Sequence, residues 1–302
     1  MRAVLTGAAG FAGCNLLEAL LDSGWETIAV LREDSPHNER LETDSMRDFE
    51  KKGQLIKVYC DMSRILTLRT HVSGDADVFF NLAWHGKSRD DFDSQYSNID
   101  EAIHAMEAAK SLSCKVFLMT GSQAEYGIKR DLETEDSVLM PENAYGAAKA
   151  AAMHVLKAKA RKIGMSFVWA RIFSLYGKYE HESTLISYLI RELKSGRSPS
   201  VSAATQEWDY LFARDAAEAM IALSLKGRDG EAYNLANGNF RPLRGFIEDV
   251  RIVVAPEVKI TYGYPISNAV ELRPSVRKLF RDTLWTPATE FTEGIRQIVY
   301  EE

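Results

Sequence analysis

Apolar positions follow two alternating rhythms through the amino-terminal half of the chain. Nearly unbroken apolar runs lie near 2–6, 27–31, 54–59, 77–82, 114–120 and 165–171. Between them, apolar residues recur every three or four positions; Phe11, Cys14, Leu17, Leu20 and Leu21 are the first such set, and Gly24 ends it. The first rhythm predicts buried strands and the second predicts amphipathic helices. Strands that are apolar on both faces and alternate with helices predict an α/β protein built on a doubly wound parallel sheet. After about residue 177 the pattern changes to a helix from Thr184 to Ser195, a Gly- and Pro-containing loop and shorter pieces.

The first strand runs into Thr6-Gly7-Ala8-Ala9-Gly10-Phe11-Ala12-Gly13. Strand, glycine turn, helix, strand is the opening of a Rossmann-type dinucleotide-binding unit. Gly7 permits the tight turn, Gly10 lets the backbone approach a pyrophosphate, and Gly13 lets helix and strand pack closely. The helix N-terminus adds unpaired N–H groups and a positive dipole end. Residues 1–177, with later crossing segments, are therefore assigned to this domain. Residues 178–302 are assigned mostly to a smaller substrate-binding lobe.

Composition narrows the function. The chain has 302 residues, 46% apolar and 26% charged, with a net charge of −6. No basic run or arginine-rich face is present, which argues against nucleic-acid binding and against a polybasic membrane contact. No apolar stretch approaches the length that spans a bilayer, and the first residues read as a core strand. Cys14, Cys60 and Cys114 are widely spaced among apolar neighbours, which suggests buried thiols in a reducing cytoplasm, with neither a disulfide nor a metal site.

The run Asn143-Ala-Tyr145-Gly-Ala-Ala-Lys149 carries the candidate chemistry. On a helix, Tyr145 and Lys149 share a face, and an ammonium beside a phenol favours the phenolate. Such a tyrosine can exchange a proton with an alcohol. Tyr-x3-Lys alone is a common surface pairing; with the G-x-x-G-x-x-G turn it resembles the short-chain dehydrogenase/reductase superfamily. Length and further motifs resemble its extended branch, the NAD-dependent epimerase/dehydratase family that modifies sugar nucleotides. Those motifs are Asp61-Met62, Asn81-Leu82-Ala83, Asn98, Gly121-Ser122 to Tyr126-Gly127, and Arg171 to Tyr176-Gly177. The resemblance covers almost the whole chain.

The resemblance implies that Tyr145 is a general acid/base, that Lys149 lowers its pKa and holds the nicotinamide ribose, and that Ser122 orients the reacting oxygen. It places Gly7, Gly10, Phe11, Ala12, Gly13, Asp61, Met62, Leu82, Ala83, Trp84, Asn98, Tyr145, Lys149 and Phe173 around the cofactor. At the end of the second strand the chain reads Val30-Leu31-Arg32-Glu33-Asp34-Ser35. Arg32 could pair with a 2′-phosphate and Ser35 could add a hydrogen bond, which favours NADP(H). Glu33 and Asp34 keep NAD(H) open, since an acid at that place would hold the ribose hydroxyls.

Departures from the family pattern sort the reactions. Dehydratases carry an Asp-Glu pair directly after the catalytic hydroxyl residue; here Gln123-Ala124 stands there, and neither side chain can exchange a proton. Glu125 comes one place too late. Ketone reduction of a 4-keto-6-deoxy sugar nucleotide is the favoured reading. An epimerase that retains its NAD is the alternative, and a non-catalytic dinucleotide sensor is the third. In the substrate lobe Trp208 stands where the family has a diphosphate-gripping arginine, and Ser174 where it has an asparagine. His85, Ser174 and Trp208 are candidate substrate contacts; each also has an ordinary loop or packing reading. Arg241, Arg244, Arg273 and Arg277 are replacement candidates for the clamp. Asp215 is expected to cap a helix. By resemblance, helices near 95–112 and 143–163 pair across a homodimer axis.

Overall fold

A computed structural model of the chain describes residues 1–300 apart from 87, 129, 130 and 268. Six strands of its main sheet fall where the apolar runs predict them: Arg2–Thr6, Glu26–Leu31, Leu55–Tyr59, Val78–Asn81, Val116–Ser122 and Ser166–Ile172. A seventh, Glu231–Leu235, arrives from the carboxyl-terminal half and pairs with Ser166–Ile172. Its sequence, Glu-Ala-Tyr-Asn-Leu, is too short and too polar to announce a buried strand. Across the sheet the order is seventh, sixth, fifth, fourth, first, second, third, and all of these strands run parallel.

The order steps in opposite directions from the first strand, so a crevice opens where the first and fourth strands lie side by side. In open α/β sheets that crevice, at the carboxyl ends of the strands, is where ligands bind. Here it is shaped by two buried side chains: the Thr6 hydroxyl donates to Asn81 Oδ1 at 2.6 Å and accepts from the Ala83 N–H at 3.3 Å. The loop leaving the fourth strand is thereby tied to the end of the first.

Apolar layers cover both faces. On one, Leu16, Leu17 and Leu20 of the Phe11–Asp22 helix pack with Ala216, Met220 and Leu223 of the Ala213–Lys226 helix. On the other, Ala102, Ala105 and Ala109 of the Phe92–Ser111 helix meet Ala152, Leu156 and Ala160 of the Ala144–Ile163 helix. Small side chains let those two helices lie close to the sheet and to each other. A separate apolar cluster holds the smaller lobe, with Leu189, Leu193, Phe246, Ile247 and Ile295 at its centre.

Asp215 does not cap its helix. The Ala213–Lys226 helix has Phe212 at its N-cap, and Asp215 sits inside the first turn. Its carboxylate accepts from the Ala288 and Thr289 N–H groups and from the Thr289 hydroxyl, so it ties down a distant loop instead.

Candidate active site

The glycine turn is set by close backbone approach. Gly7 has φ +70°, and a side chain there would meet the backbone of Leu82 and Ala83 at 2.9 Å. A Cβ at Gly13 would come within 2.0 Å of the Gly7 carbonyl oxygen. The helix that follows has Gly10 as its N-cap and no side chain bonded to its first amides. Those N–H groups are oriented for an anion.

Two adjoining cavities share this turn. The first, about 600 Å³, is bounded by Gly7, Gly10, Phe11, Ala12 and Gly13 on one side and by Ser122, Tyr145, Lys149 and Phe173 on the other. The second, about 460 Å³, runs over the second and third strand ends, where Arg32, Ser35, Asp61 and Met62 line it. Leu82, Trp84 and His85 border both, and Ala83 borders the second. Asn38 also lines the second cavity, and its Oδ1 is buried with no hydrogen-bond partner among the described residues. An acceptor left so is a cost unless a donor reaches it. The free amides, the glycine cradle and this acceptor together fit a dinucleotide.

Among the candidate catalytic residues, Ser122 is the last residue of its strand rather than the one beyond it. It caps the short turn Gln123–Glu125, its hydroxyl accepting from the Ala124 N–H. Asn143 caps the next helix by accepting from the Gly146 N–H at 2.8 Å. A Cβ at Gly146 would stand 2.3 Å from the Ala124 carbonyl oxygen, so only glycine lets this helix press onto the serine turn. That contact sets Tyr145 and Ser122 on one wall of the first cavity, where the serine hydroxyl acts on the phenol.

The electrostatics differ from the simple expectation. Burial raises the Tyr145 phenol above its ordinary value, and the Ser122 hydrogen bond and the Arg89 charge only partly offset this. The lowering expected from Lys149 is not the prevailing effect. Lys149 is buried, and burial brings its pKa down to about 7. Its ammonium donates to the Thr120 carbonyl at 2.8 Å and faces the Trp84 ring rather than the phenolic oxygen.

Glu125 turns inward. It is fully buried, accepts from the Ser122 N–H at 2.8 Å and from the Trp169 indole at 3.0 Å, and pairs with Arg171 at 2.7 Å. It therefore holds the serine turn from behind. Asn98 also stands behind the cavity. Its amide donates to the His85 carbonyl and accepts from the His85 N–H, so it places His85 rather than lining the cofactor space. His85 Nε2 lies 3.3 Å from the Glu101 carboxylate, whose pKa burial raises.

Ser174 and Trp208 line a third cavity of about 450 Å³, which Phe11 and Phe173 separate from the first. Glu180 and His181 join them there, and burial raises the Glu180 carboxyl to about 7. Arg89, Asn38, Glu101 and Glu180 were not singled out from sequence. Only the position of Arg89, in a polar loop after the fourth strand, gave a usable signal. The three thiols are free and buried, and no helix among the described residues is long and apolar enough to cross a membrane.

Residues 3–236 match the model of the NAD dependent epimerase/dehydratase family. The chain is 29% identical over 216 residues to dTDP-glucose 4,6-dehydratase of Haemophilus influenzae, across 65% of this chain and 63% of that one. The chain thus spans less than two thirds of that relative's length. It is 23% identical over 312 residues to CDP-abequose synthase of Salmonella muenchen, across 99% of this chain and 97% of that one. In shape it is similar to UDP-N-acetylglucosamine 4-epimerase from Methanobrevibacter ruminantium M1, with TM-score 0.86, 21% identity, and coverage of 99% and 96%.

Proposed function

Since the chain belongs to the NAD dependent epimerase/dehydratase family, we propose that it reduces the ketone of a 4-keto-6-deoxy sugar nucleotide, with Tyr145 as general acid. The observation that carries this reading is that Ser122, Tyr145 and Lys149 line the same cavity as the glycine turn. A nicotinamide dinucleotide, when bound, supplies the hydride. The glycine turn and the free amides after Gly10 would hold its pyrophosphate. The chain's own share is orientation and proton transfer.

Ser122 presents its hydroxyl to the carbonyl oxygen of the sugar, and the Tyr145 phenol gives that oxygen a proton as it becomes an alcohol. Burial keeps the phenol protonated, which suits a group that must give a proton. Epimerisation would begin instead by taking one from an alcohol. Elimination of water lacks its acid–base pair, because Gln123 and Ala124 cannot exchange protons and Glu125 faces Arg171. The cofactor reading is NADP(H), from Arg32 and Ser35 beside the second cavity. A homodimer accords with Phe92, Tyr96 and Val155, exposed on the two long helices of one sheet face. Three free, buried thiols accord with a cytoplasmic setting.

The test is Tyr145→Phe, assayed for NADPH oxidation with a keto-sugar nucleotide and for cofactor binding by fluorescence. Turnover should fall by about 10²–10⁴-fold, with cofactor affinity unchanged. Unaltered turnover sinks the mechanism. Cofactor that stays bound through purification, with no net NADPH use, would turn the reading to epimerisation.

A further inference from the structure

Arg89 enters the reaction cavity from the loop between the fourth strand and the Phe92–Ser111 helix. Two hydrogen bonds fix the loop to the helix that carries Tyr145. The Tyr145 N–H donates to the Arg89 carbonyl at 2.8 Å, and the Ala144 N–H donates to the Asp90 carboxylate at 3.2 Å. Where Tyr145 goes, Arg89 follows. Its charge already acts on the phenol, favouring the phenolate.

The guanidinium is exposed and has no ion-pair partner among the described residues. Lys149 is the one other Lys or Arg among the described residues lining this cavity, and Thr120 and Trp84 engage it. No carboxylate belongs to that described lining. The cavity beyond Phe173 has the opposite character: Glu180 lines it, and no Lys or Arg does among the described residues. The four arginines offered as a clamp in the neighbouring lobe lie elsewhere. Arg241 pairs with Asp249, Arg273 with Glu207 at 2.6 Å and Glu271 at 2.8 Å, and Arg244 lies 3.9 Å over the Tyr262 ring. Arg277 lines a separate pocket with Asn237 and Phe280.

We propose that Arg89 holds an oxyanion of the substrate, a phosphate or a carboxylate close to the reacting carbon, and so sets how the sugar lies against Tyr145 and Ser122. The planar fork of a guanidinium matches either group with two parallel hydrogen bonds, which a lysine cannot reproduce. The inference rests on the reading of this cavity as the sugar site, and it moves the anion anchor from the substrate lobe to the loop beside the proton donor.

The experiment is calorimetric titration of the full chain, loaded with NADPH, in wild-type, Arg89→Ala and Arg89→Lys forms. UDP, CDP, GDP and dTDP probe the phosphate source, and glucuronate probes the carboxylate source. At least one probe should bind the wild type, weaken about 10-fold or more in Arg89→Ala, as expected for a charged hydrogen-bonded pair, and recover only in part in Arg89→Lys. The probe that responds identifies the source. Melting temperature and NADPH affinity should stay unchanged. Equal binding to wild type and Arg89→Ala overturns the proposal, as does binding of none of these probes at millimolar concentration. A wild type that fails to bind NADPH would defeat the functional reading instead, while titration of the unloaded protein still decides the role of Arg89.

Discussion

The Lys149 ammonium lies 3.8 Å from the centre of the Trp84 ring, against 5.9 Å from that of Tyr145. Trp84 is itself held by its indole N–H, which donates to Gln95 Oε1 at 2.7 Å. Two effects therefore oppose each other at Lys149. Burial favours the neutral amine, and the π face favours the cation by about 2 kcal/mol when desolvated. Trp84→Leu should lower the Lys149 titration midpoint, read from the ¹³Cε shift of labelled lysine, while Trp84→Phe should keep most of it. An unchanged midpoint in Trp84→Leu would remove the ring from the account.

Arg32 lines the second cavity beside Ser35 and Asn38, and its backbone carbonyl accepts from Asn38 Nδ2 at 2.9 Å. Arg32→Ala should weaken NADPH by about 1.5–3 kcal/mol, the range for a hydrogen bond to a charged group, and leave NADH nearly unaffected. Equal losses for the two cofactors would return the preference to NAD.

The Glu125–Arg171 pair, behind the Ser122 turn, is the most deeply buried ion pair among the described residues, with exposures of 0% and 2%. Breaking it from one side leaves a charge without compensation. Glu125→Ala should cost about 3–5 kcal/mol of stability and, by freeing the Ser122 N–H, reduce turnover in whatever protein stays folded. The double change Glu125→Leu/Arg171→Met should cost less than either single change. Chemical denaturation measures both; a single variant within about 0.5 kcal/mol of wild type, an ordinary surface effect, would contradict the argument.

Glu180 carries a pH signature. Burial raises its folded-state pKa from the usual 4.5 to about 7. Between those values the folded chain binds more protons than the unfolded one, so this group makes stability fall as pH rises from about 4.5 to about 7. Glu180→Gln should flatten that slope and be the more stable form relative to wild type at pH 8 than at pH 4. Parallel stability curves would show that Glu180 titrates normally.

Phe92 and Tyr96 stand one turn apart on the Phe92–Ser111 helix with exposures of 71% and 77%. Exposed aromatics at this spacing suit a helix that packs on a copy of itself. Tyr96→Glu should shift sedimentation from dimer to monomer with the fold intact by circular dichroism. A wild type that sediments as a monomer would discard the homodimer.

Parts of this arrangement are legible in the amino-acid sequence. The strands are, because a sheet covered on both faces needs unbroken apolar runs, and Arg2–Thr6 or Ser166–Ile172 can hardly be anything else. The glycine turn is, because Gly7, Gly10 and Gly13 lie close in sequence and act locally. The placing of Ser122 and Tyr145 on one cavity wall could be expected only through the family pattern, since 22 residues separate them and it takes Gly146 to let the helix press onto the serine turn. The rest depended on three-dimensional placement. No spacing rule points Glu125 at Arg171, turns Asn98 toward His85, or puts Trp84 under Lys149. Asp215 read as a cap because aspartates near helix starts usually are, and its true partners lie more than 70 residues away.

The seventh strand has a further consequence. A chain cut after Gly177 would leave the outer amides and carbonyls of Ser166–Ile172 without neighbours, along a run that is mostly hydrophobic. Such a border recruits strands from other molecules. Expression of the amino-terminal portion by itself should therefore yield aggregates rather than a cofactor-binding fragment, because Glu231–Leu235 replaces that border with a shorter, more polar one whose Asn234 N–H is taken up by Glu135.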